Sequence, residues 1–141
     1  MKRKILIGCA AAAILFAWIH SAMPSGISGA ESGWFAEHII NPVWTLLFGQ
    51  GMSIEIVRKL AHVFEYTVIG ALLGALLQRK PLPTFGIGMA VAVADETIQL
   101  LSGRGSTIAD VWIDLCGVAI GYGIAWGIYG LTRKRNGTNA S

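Results

Sequence analysis

Long apolar runs alternate with short polar connections along the chain, and four of the runs are long enough to cross a membrane. They cover residues 5–22, 60–78, 83–101 and 108–131. An α-helix needs about 20 apolar residues to cross a hydrocarbon core roughly 30 Å thick. Barrel strands alternate apolar and polar positions, which these runs do not. The pattern therefore predicts an all-α polytopic membrane protein, a four-helix transmembrane bundle formed by a single domain over residues 1–141.

The composition excludes several classes of protein. Hydrophobic residues make up 54% of the chain and charged residues only 13%, whereas ordinary soluble domains are roughly 25% charged. A soluble enzyme and a disordered chain are therefore both disfavoured. The 2 cysteines are too few for a disulfide-stapled secreted domain. The net charge of +3 does not indicate nucleic-acid binding, because basic residues in a membrane protein mainly set its orientation.

The basic residues predict how the bundle is oriented. Of the 11 Lys and Arg residues, all but Arg58, Lys59 and Arg104 lie before the first run, between the second and third, or after the fourth. Basic residues concentrate on the cytoplasmic side of a membrane. Both termini are therefore predicted to be cytoplasmic, and residues 23–57 and 102–107 are predicted to face outward.

The outward segment 23–57 is predicted to carry a short helix on the membrane surface that breaks near Asn41-Pro42. Ser53 is expected to cap the next helix, which then begins near Ile54. Aromatic side chains favour the membrane interface, and the segment contains Trp34, Phe35, Trp44 and Phe48. Two alternatives stay open for this segment: a plain aromatic belt, or a lid over a site.

Polar side chains in the second, third and fourth runs share one depth. Ionisable groups inside a span cost about 2.5–3.5 kcal/mol each, so they tend to face the protein interior and to be functional. At a rise of 1.5 Å per residue, all of these groups lie within about 10 Å of the outer interface. We therefore predict that three helices form one outer polar site. Its members are Arg58, Lys59, His62, Glu65 and Tyr66, then Asp95, Glu96 and Gln99, then Asp110 and Asp114.

The charges in this set do not balance. Five carboxylates face three permanent cations, Arg58, Lys59 and Arg104, while the charge of His62 is open. The excess of acids indicates that one carboxyl is protonated or that a cation joins the cluster. Whether a metal ion binds the acid cluster stays open, and the sequence identifies neither a cofactor nor an oligomeric state.

The connection 102–107 has two alternative interpretations. Its glycines allow backbone N–H groups to converge, and together with Arg104 and Ser106 they would form an anion site at a helix N-terminus. Alternatively, Thr107 and Asp110 form a capping box, and Arg104 pairs with a carboxylate.

Glycines at four-residue spacing predict close helix packing. They form the pairs Gly70 and Gly74, Gly117 and Gly121, and Gly123 and Gly127. Small residues at this spacing let two helix backbones approach each other. Asp114 shares a helix face with Gly117 and Gly121, so its carboxylate is expected to face the bundle.

The ordered polar motifs resemble the VanZ-like family of small bacterial membrane proteins, over nearly the whole chain. The matching pieces are Arg58-Lys59-x-x-His62-x-x-Glu65-Tyr66, Asp95-Glu96-x-x-Gln99, Gly103-Arg104, Asp110-x-x-x-Asp114-x-x-Gly117 and, at the end of the first helix, His20-Ser21-Ala22-Met23-Pro24. One departure is Ile98, where many relatives carry a His. The resemblance implies a role at the cell envelope of a bacterium, since the family is named after a protein linked to low-level teicoplanin resistance. It supplies no established chemistry.

Three functional hypotheses follow. In the first, the site binds the anionic headgroup of a membrane lipid or lipid-linked wall precursor, with an effect on glycopeptide antibiotic tolerance. In the second, an intramembrane enzyme modifies a lipid headgroup by acid–base chemistry, although no HExxH or GxSxG motif is present. In the third, the charges only lock the helices together.

The residues are assigned to these roles as follows. The catalytic candidates are His62 and Glu65 as general base, and Asp95 and Glu96 as acid or metal ligand. The remaining lone histidines, His20 and His38, have no partner at helical spacing and are expected at the interface. Ligand contacts are assigned to Arg58, Lys59, Tyr66, Gln99, Arg104, Ser106, Asp110 and Asp114.

Overall fold

Seven helical elements follow one another along the part of the chain that the computed structural model describes, residues 2–138, with side chains described for residues 3–132. No strand occurs among these residues. In chain order the elements are α1 (Lys2–Ser21), α2 (Ser25–Phe35), a π-helical segment (Ala36–Ile40), α3 (Asn41–Phe48), α4 (Ile54–Leu76), α5 (Pro81–Leu101) and α6 (Ile108–Thr138).

Helices α1, α4, α5 and α6 are long and apolar enough to cross a membrane. The predicted all-α class and its four spans are therefore confirmed. Their outer surfaces carry large exposed apolar side chains such as Phe16, Phe64 and Trp126, which suits helices whose surroundings are lipid. The polar end of the bundle is the end where α1 and α5 finish and where α4 and α6 begin.

The closest approach in the bundle lies between α4 and α6. A Cβ atom added to Gly70 would collide with the backbone of Val118, and one added to Gly121 would collide with the backbone of Thr67. A Cβ on Gly117 would lie 2.7 Å from the Cβ of Tyr66. The missing side chains let the two backbones touch, so the predicted glycine packing is confirmed at these positions.

The third glycine pair does not take part in this packing. A Cβ added to Gly123 or Gly127 would meet nothing within 4 Å. These two glycines lie on the part of α6 that faces away from the neighbouring helices. Spacing alone predicted a packing face here, and the structure shows that this prediction is wrong because the residues point away from α4.

A small apolar core lies next to the polar end and holds the four spans together. Its buried members come from all four long helices: Ala17, Tyr66, Ile69, Leu73, Val91, Ala92 and Val118. This packing fixes the rotation of each helix about its own axis, because each buried side chain fits between particular neighbours. The polar residues one turn further along each helix are thereby aimed at a common point.

Side-chain caps begin both helices that start at the polar end. The Ser53 hydroxyl accepts a hydrogen bond from the Ile56 N–H at 3.4 Å. The Thr107 N–H and hydroxyl both donate to Asp110 Oδ2, at 3.0 and 2.7 Å. Both predicted caps are confirmed, and they satisfy N–H and hydroxyl groups at helix starts that have no partner in the helix.

The segment between α1 and α4 stays helical through Asn41-Pro42, so the predicted break is wrong. The π-helical segment at residues 36–40 directly precedes α3, whose second residue is Pro42. A proline is tolerated in the first turn of a helix, since its missing N–H would have no partner there. The π-helical segment is followed directly by α3, which begins at Asn41 and holds the proline in its first turn.

The aromatic side chains of this segment belong to the surface. Trp34, Phe35 and Phe48 are exposed, whereas Trp44 packs against a small cluster of Ala36, Met52 and Val57. None of the four aromatics lines the cavity at the polar end. Their placement favours the aromatic belt over the lid.

Candidate functional site

Three helices bring a histidine and two aspartates together at the polar end of the bundle. His62 on α4 places Nδ1 3.8 Å from Asp95 Oδ2 on α5 and 3.6 Å from Asp114 Oδ1 on α6. Asp95 is 0% exposed and Asp114 is 1% exposed. We call His62, Asp95 and Asp114 the central triad. Its three members are among the residues that the sequence assigns to the site.

Helix α1 supplies two further members that the sequence does not place in the site. The Ser21 hydroxyl donates to Asp95 Oδ2 at 2.9 Å, and His20 Nδ1 lies 3.0 Å from Glu65 Oε1. The sequence showed no partner for His20 at helical spacing; its partner Glu65 lies on another helix, which spacing within α1 cannot reveal. One signal was available: His20 stands at the outer end of its span, at the depth of the other polar groups.

The other lone histidine stays outside the site. His38 Nδ1 lies 2.9 Å from the Trp34 carbonyl oxygen, one turn earlier in the surface segment, and the two rings stack with centroids 4.9 Å apart. These contacts are local to the surface helix. His38 is exposed and gives a useful comparison with the buried histidines.

A row of hydrogen bonds joins the triad to the connection between α5 and α6. Gln99 Nε2 donates to Asp95 Oδ2 at 3.1 Å and to Glu96 Oε1 at 3.2 Å. The Ser106 hydroxyl donates to the other carboxylate oxygen of Glu96. The sequence-assigned residues Gln99, Glu96 and Ser106 therefore hold one another in place beside the triad.

Arg104 is buried and does not line the cavity, so its guanidinium is not placed to contact a phosphate there. Its side chain is 3% exposed, and Nη1 donates to the carbonyl oxygen of His20 at 3.0 Å. Burial, together with the positive charge of Arg58, lowers the pKa of Arg104, while the carboxylates of Asp95 and Glu96 act in the opposite direction. A guanidinium remains charged in proteins. Among the described residues Arg104 forms no ion pair, so the predicted pairing of Arg104 with a carboxylate is wrong, and its donor goes to a backbone carbonyl instead.

A cavity of about 430 Å³ opens beside the triad. Seven sequence-assigned residues line it: Arg58, Lys59, His62, Glu96, Gln99, Asp110 and Asp114. Five others lie outside its wall: Glu65, Tyr66, Asp95, Arg104 and Ser106. Tyr66 is 0% exposed and belongs to the apolar core, so the structure gives it a packing position rather than a place on the cavity wall.

The two cations on the cavity wall differ in their partners. Lys59 Nζ lies 3.2 Å from Glu55 Oε1 in an exposed pair one turn apart. Within residues 3–132, Arg58 forms no ion pair, and its side chain is half-buried. An exposed pair of the Lys59 type contributes little free energy. Both cations are therefore available to an anion that enters the cavity.

Comparison with known protein families gives one match. The family described as VanZ/LLP1 matches residues 6–130, a range that includes the whole site together with His20 and Ser21. The resemblance drawn from the polar motifs is thereby confirmed. No curated protein and no solved structure matches the chain.

Proposed function

Since the chain belongs to the VanZ/LLP1 family, we propose that its polar end binds the anionic headgroup of a membrane lipid or of a lipid-linked wall precursor. Four spans and this family are consistent with a cell-envelope protein related to teicoplanin resistance. The observation that carries the proposal is the cavity at the polar end, whose wall holds the Arg58 guanidinium, which has no ion-pair partner among residues 3–132.

Arg58 has the chemistry that phosphate recognition requires. Its planar guanidinium offers parallel N–H donors that match two oxygens of one phosphate. It stands in the second turn of α4, close to where a lipid headgroup lies if the helix starts at the interface. Lys59 is adjacent and can exchange its exposed partner Glu55 for a phosphate oxygen at little cost.

The acidic side chains on the same cavity wall restrict which headgroups can bind. Glu96, Asp110 and Asp114 also line the cavity, and their negative charges repel a purely anionic ligand. Ionised carboxylates accept hydrogen bonds but donate none. A headgroup that carries hydroxyl or ammonium donors beside its phosphate satisfies both halves of the wall. A glycerol or sugar phosphate headgroup fits this description.

The orientation of the bundle connects this site with the cell surface. We propose that both termini are cytoplasmic in a bacterial membrane, since eight of the 11 basic residues flank the opposite end. The polar end then meets the outer leaflet, where wall precursors are displayed and where glycopeptides act. Competition for such a precursor, or its altered presentation, would change tolerance to teicoplanin.

Arg58→Gln is expected to weaken binding of a soluble short-chain phosphatidylglycerol by about tenfold or more, because a hydrogen-bonded charge contributes about 1.5–3 kcal/mol. The measurement is a titration of the purified protein in detergent. Arg3→Gln is the matched control, since Arg3 is an exposed arginine at the opposite end of the bundle. Equal affinities for the wild type and Arg58→Gln would refute the proposed headgroup contact.

A second candidate function is chemistry on the bound headgroup. It is favoured by one observation, namely that His62 and Asp114 stand 3.6 Å apart on the cavity wall, where a carboxylate can orient an imidazole as a general base. Mass spectrometry of lipid incubated with the protein separates the two candidates. A headgroup altered by the wild type and not by His62→Gln indicates an enzyme, whereas unchanged lipid supports binding alone.

A further inference from the structure

The central triad has the composition and the spacing of a metal site. We infer that His62, Asp95 and Asp114 hold one divalent cation that accepts both imidazole nitrogen and carboxylate oxygen, such as Zn²⁺ or Mn²⁺. The sequence alone named a metal ligand only as one possible role of Asp95 or Glu96 in the enzyme hypothesis. The inference goes beyond the proposed headgroup binding and does not depend on it.

The first support is the distance between the candidate ligand atoms. One nitrogen or oxygen from each residue lies within 4.8 Å of the others. His62 Nδ1 is already 3.6 Å and 3.8 Å from the two carboxylates. An ion bound at about 2.1 Å in tetrahedral geometry holds its ligand atoms roughly 3.4 Å apart. The tips of the three side chains therefore need to move by less than about 1 Å each.

The second support is independent of the spacing. Each residue of the triad has a buried polar atom that lacks a hydrogen-bond partner among the described residues: His62 Nδ1, Asp95 Oδ1 and Asp114 Oδ2. Asp95 and Asp114 are at least 99% buried. Leaving a buried polar atom without a partner is costly, and such atoms are rare in folded proteins. The carboxylate oxygens nearest to His62 Nδ1 are the other ones, Asp95 Oδ2 and Asp114 Oδ1. One unpartnered atom on each residue of the triad indicates that the cluster lacks a shared cationic ligand.

The surroundings of Asp95 are those of a supported metal ligand. Ser21 Oγ and Gln99 Nε2 both donate to Oδ2, at 2.9 and 3.1 Å, which leaves Oδ1 free. Hydrogen bonds to one oxygen of a carboxylate fix its plane and direct the other oxygen. Ser21 and Gln99 are therefore positioning residues, which act on the ion through Asp95.

The ligand atoms of the triad favour a transition-metal ion over Ca²⁺ or Mg²⁺. Two carboxylates offset the charge of the ion, while His20 is engaged with Glu65 and Arg104 with the His20 carbonyl. Ca²⁺ and Mg²⁺ prefer oxygen ligands alone, whereas an imidazole nitrogen suits Zn²⁺ and other transition metals.

Three protein ligands leave a coordination position open. Zinc sites with three protein ligands keep a fourth position for water or substrate. His62 and Asp114 also line the cavity, so this position faces it. If the proposed function holds, a phosphate oxygen of the headgroup has access to the ion there.

The test uses the tag-free, full-length protein in detergent without added lipid. The protein is stripped with a chelator and titrated separately with zinc chloride and manganese chloride by calorimetry. The expected result is one saturable ion per chain. His62→Gln lowers the affinity by about 100-fold or more, and Ser21→Ala by about tenfold, because even outer partners of a metal site contribute 10–100-fold to affinity.

His38→Gln is the matched control, since it makes the same substitution at an exposed histidine far from the triad. Absence of saturable binding by the wild type overturns the inference, as does an equal loss in His38→Gln and His62→Gln. Ser21→Ala keeps all three ligands and serves as the decisive variant if His62→Gln does not fold. The metal titration contains no lipid, and the headgroup titration needs no added metal, so failure of the metal site and failure of headgroup binding give different results.

Discussion

Gly121→Ala is expected to lower the free energy of unfolding by about 3 kcal/mol, because overpacking typically costs about 1–3 kcal/mol and a contact with rigid backbone lies at the upper end of this range. The added methyl group would overlap the backbone oxygen of Thr67 and lie 2.5 Å from the backbone nitrogen of Ala71. Backbone atoms of a neighbouring helix cannot rotate away as a flexible side chain does. Helix α4 must therefore move away from α6, and the triad loses its spacing.

Gly123→Ala is the matched control for this substitution. It makes the same chemical change on the same helix, two residues further on, where a Cβ meets nothing within 4 Å. Alanine is the better helix former, so this variant is expected to be neutral or stabilised by up to about 1 kcal/mol. Unfolding in mixed detergent micelles, followed by tryptophan fluorescence, compares the two. Similar stabilities of both variants would contradict the close contact between α4 and α6.

Arg104→Gln is expected to destabilise the protein by about 3 kcal/mol, the scale found when one partner of a buried charge cluster is removed. The guanidinium is buried, and its positive charge interacts favourably with Glu65, Asp95 and Glu96. It also donates to the His20 carbonyl at 3.0 Å. That carbonyl belongs to the last turn of α1, where oxygens lack partners within the helix. Loss of the side chain removes the donor to this carbonyl and takes a positive charge away from the nearby carboxylates.

Arg58→Gln provides the comparison, because it makes the same substitution at a half-buried arginine with no ion pair among the described residues. It is expected to change the free energy of unfolding by less than about 0.5 kcal/mol, as surface substitutions usually do. The same micelle unfolding experiment measures both variants. If Arg58→Gln proved as destabilising as Arg104→Gln, the assignment of a structural role to Arg104 and a ligand-binding role to Arg58 would be wrong.

The spans and the depth of the polar groups follow from local sequence alone. A run of about 20 apolar residues has few alternatives to a membrane helix, and the high cost of an ionisable group in lipid directs it towards protein. Position along a helix then converts into depth at 1.5 Å per residue. For this reason the gathering of His62, Asp95 and Asp114 at one end was predictable before any contact was known.

The partners within that layer depended on how the helices rotate and pack. The contacts of His20 with Glu65, of Ser21 with Asp95 and of Arg104 with His20 join residues 45, 74 and 84 positions apart. Spacing within one helix reports nothing about such pairs. Glycine contacts between α4 and α6 determine which faces of these two helices pack together. In the packed bundle Arg104 is buried, whereas Arg58 lies on the cavity wall. The depth of a polar side chain in the membrane follows from its position along one helix, whereas its contact partners depend on how the helices pack.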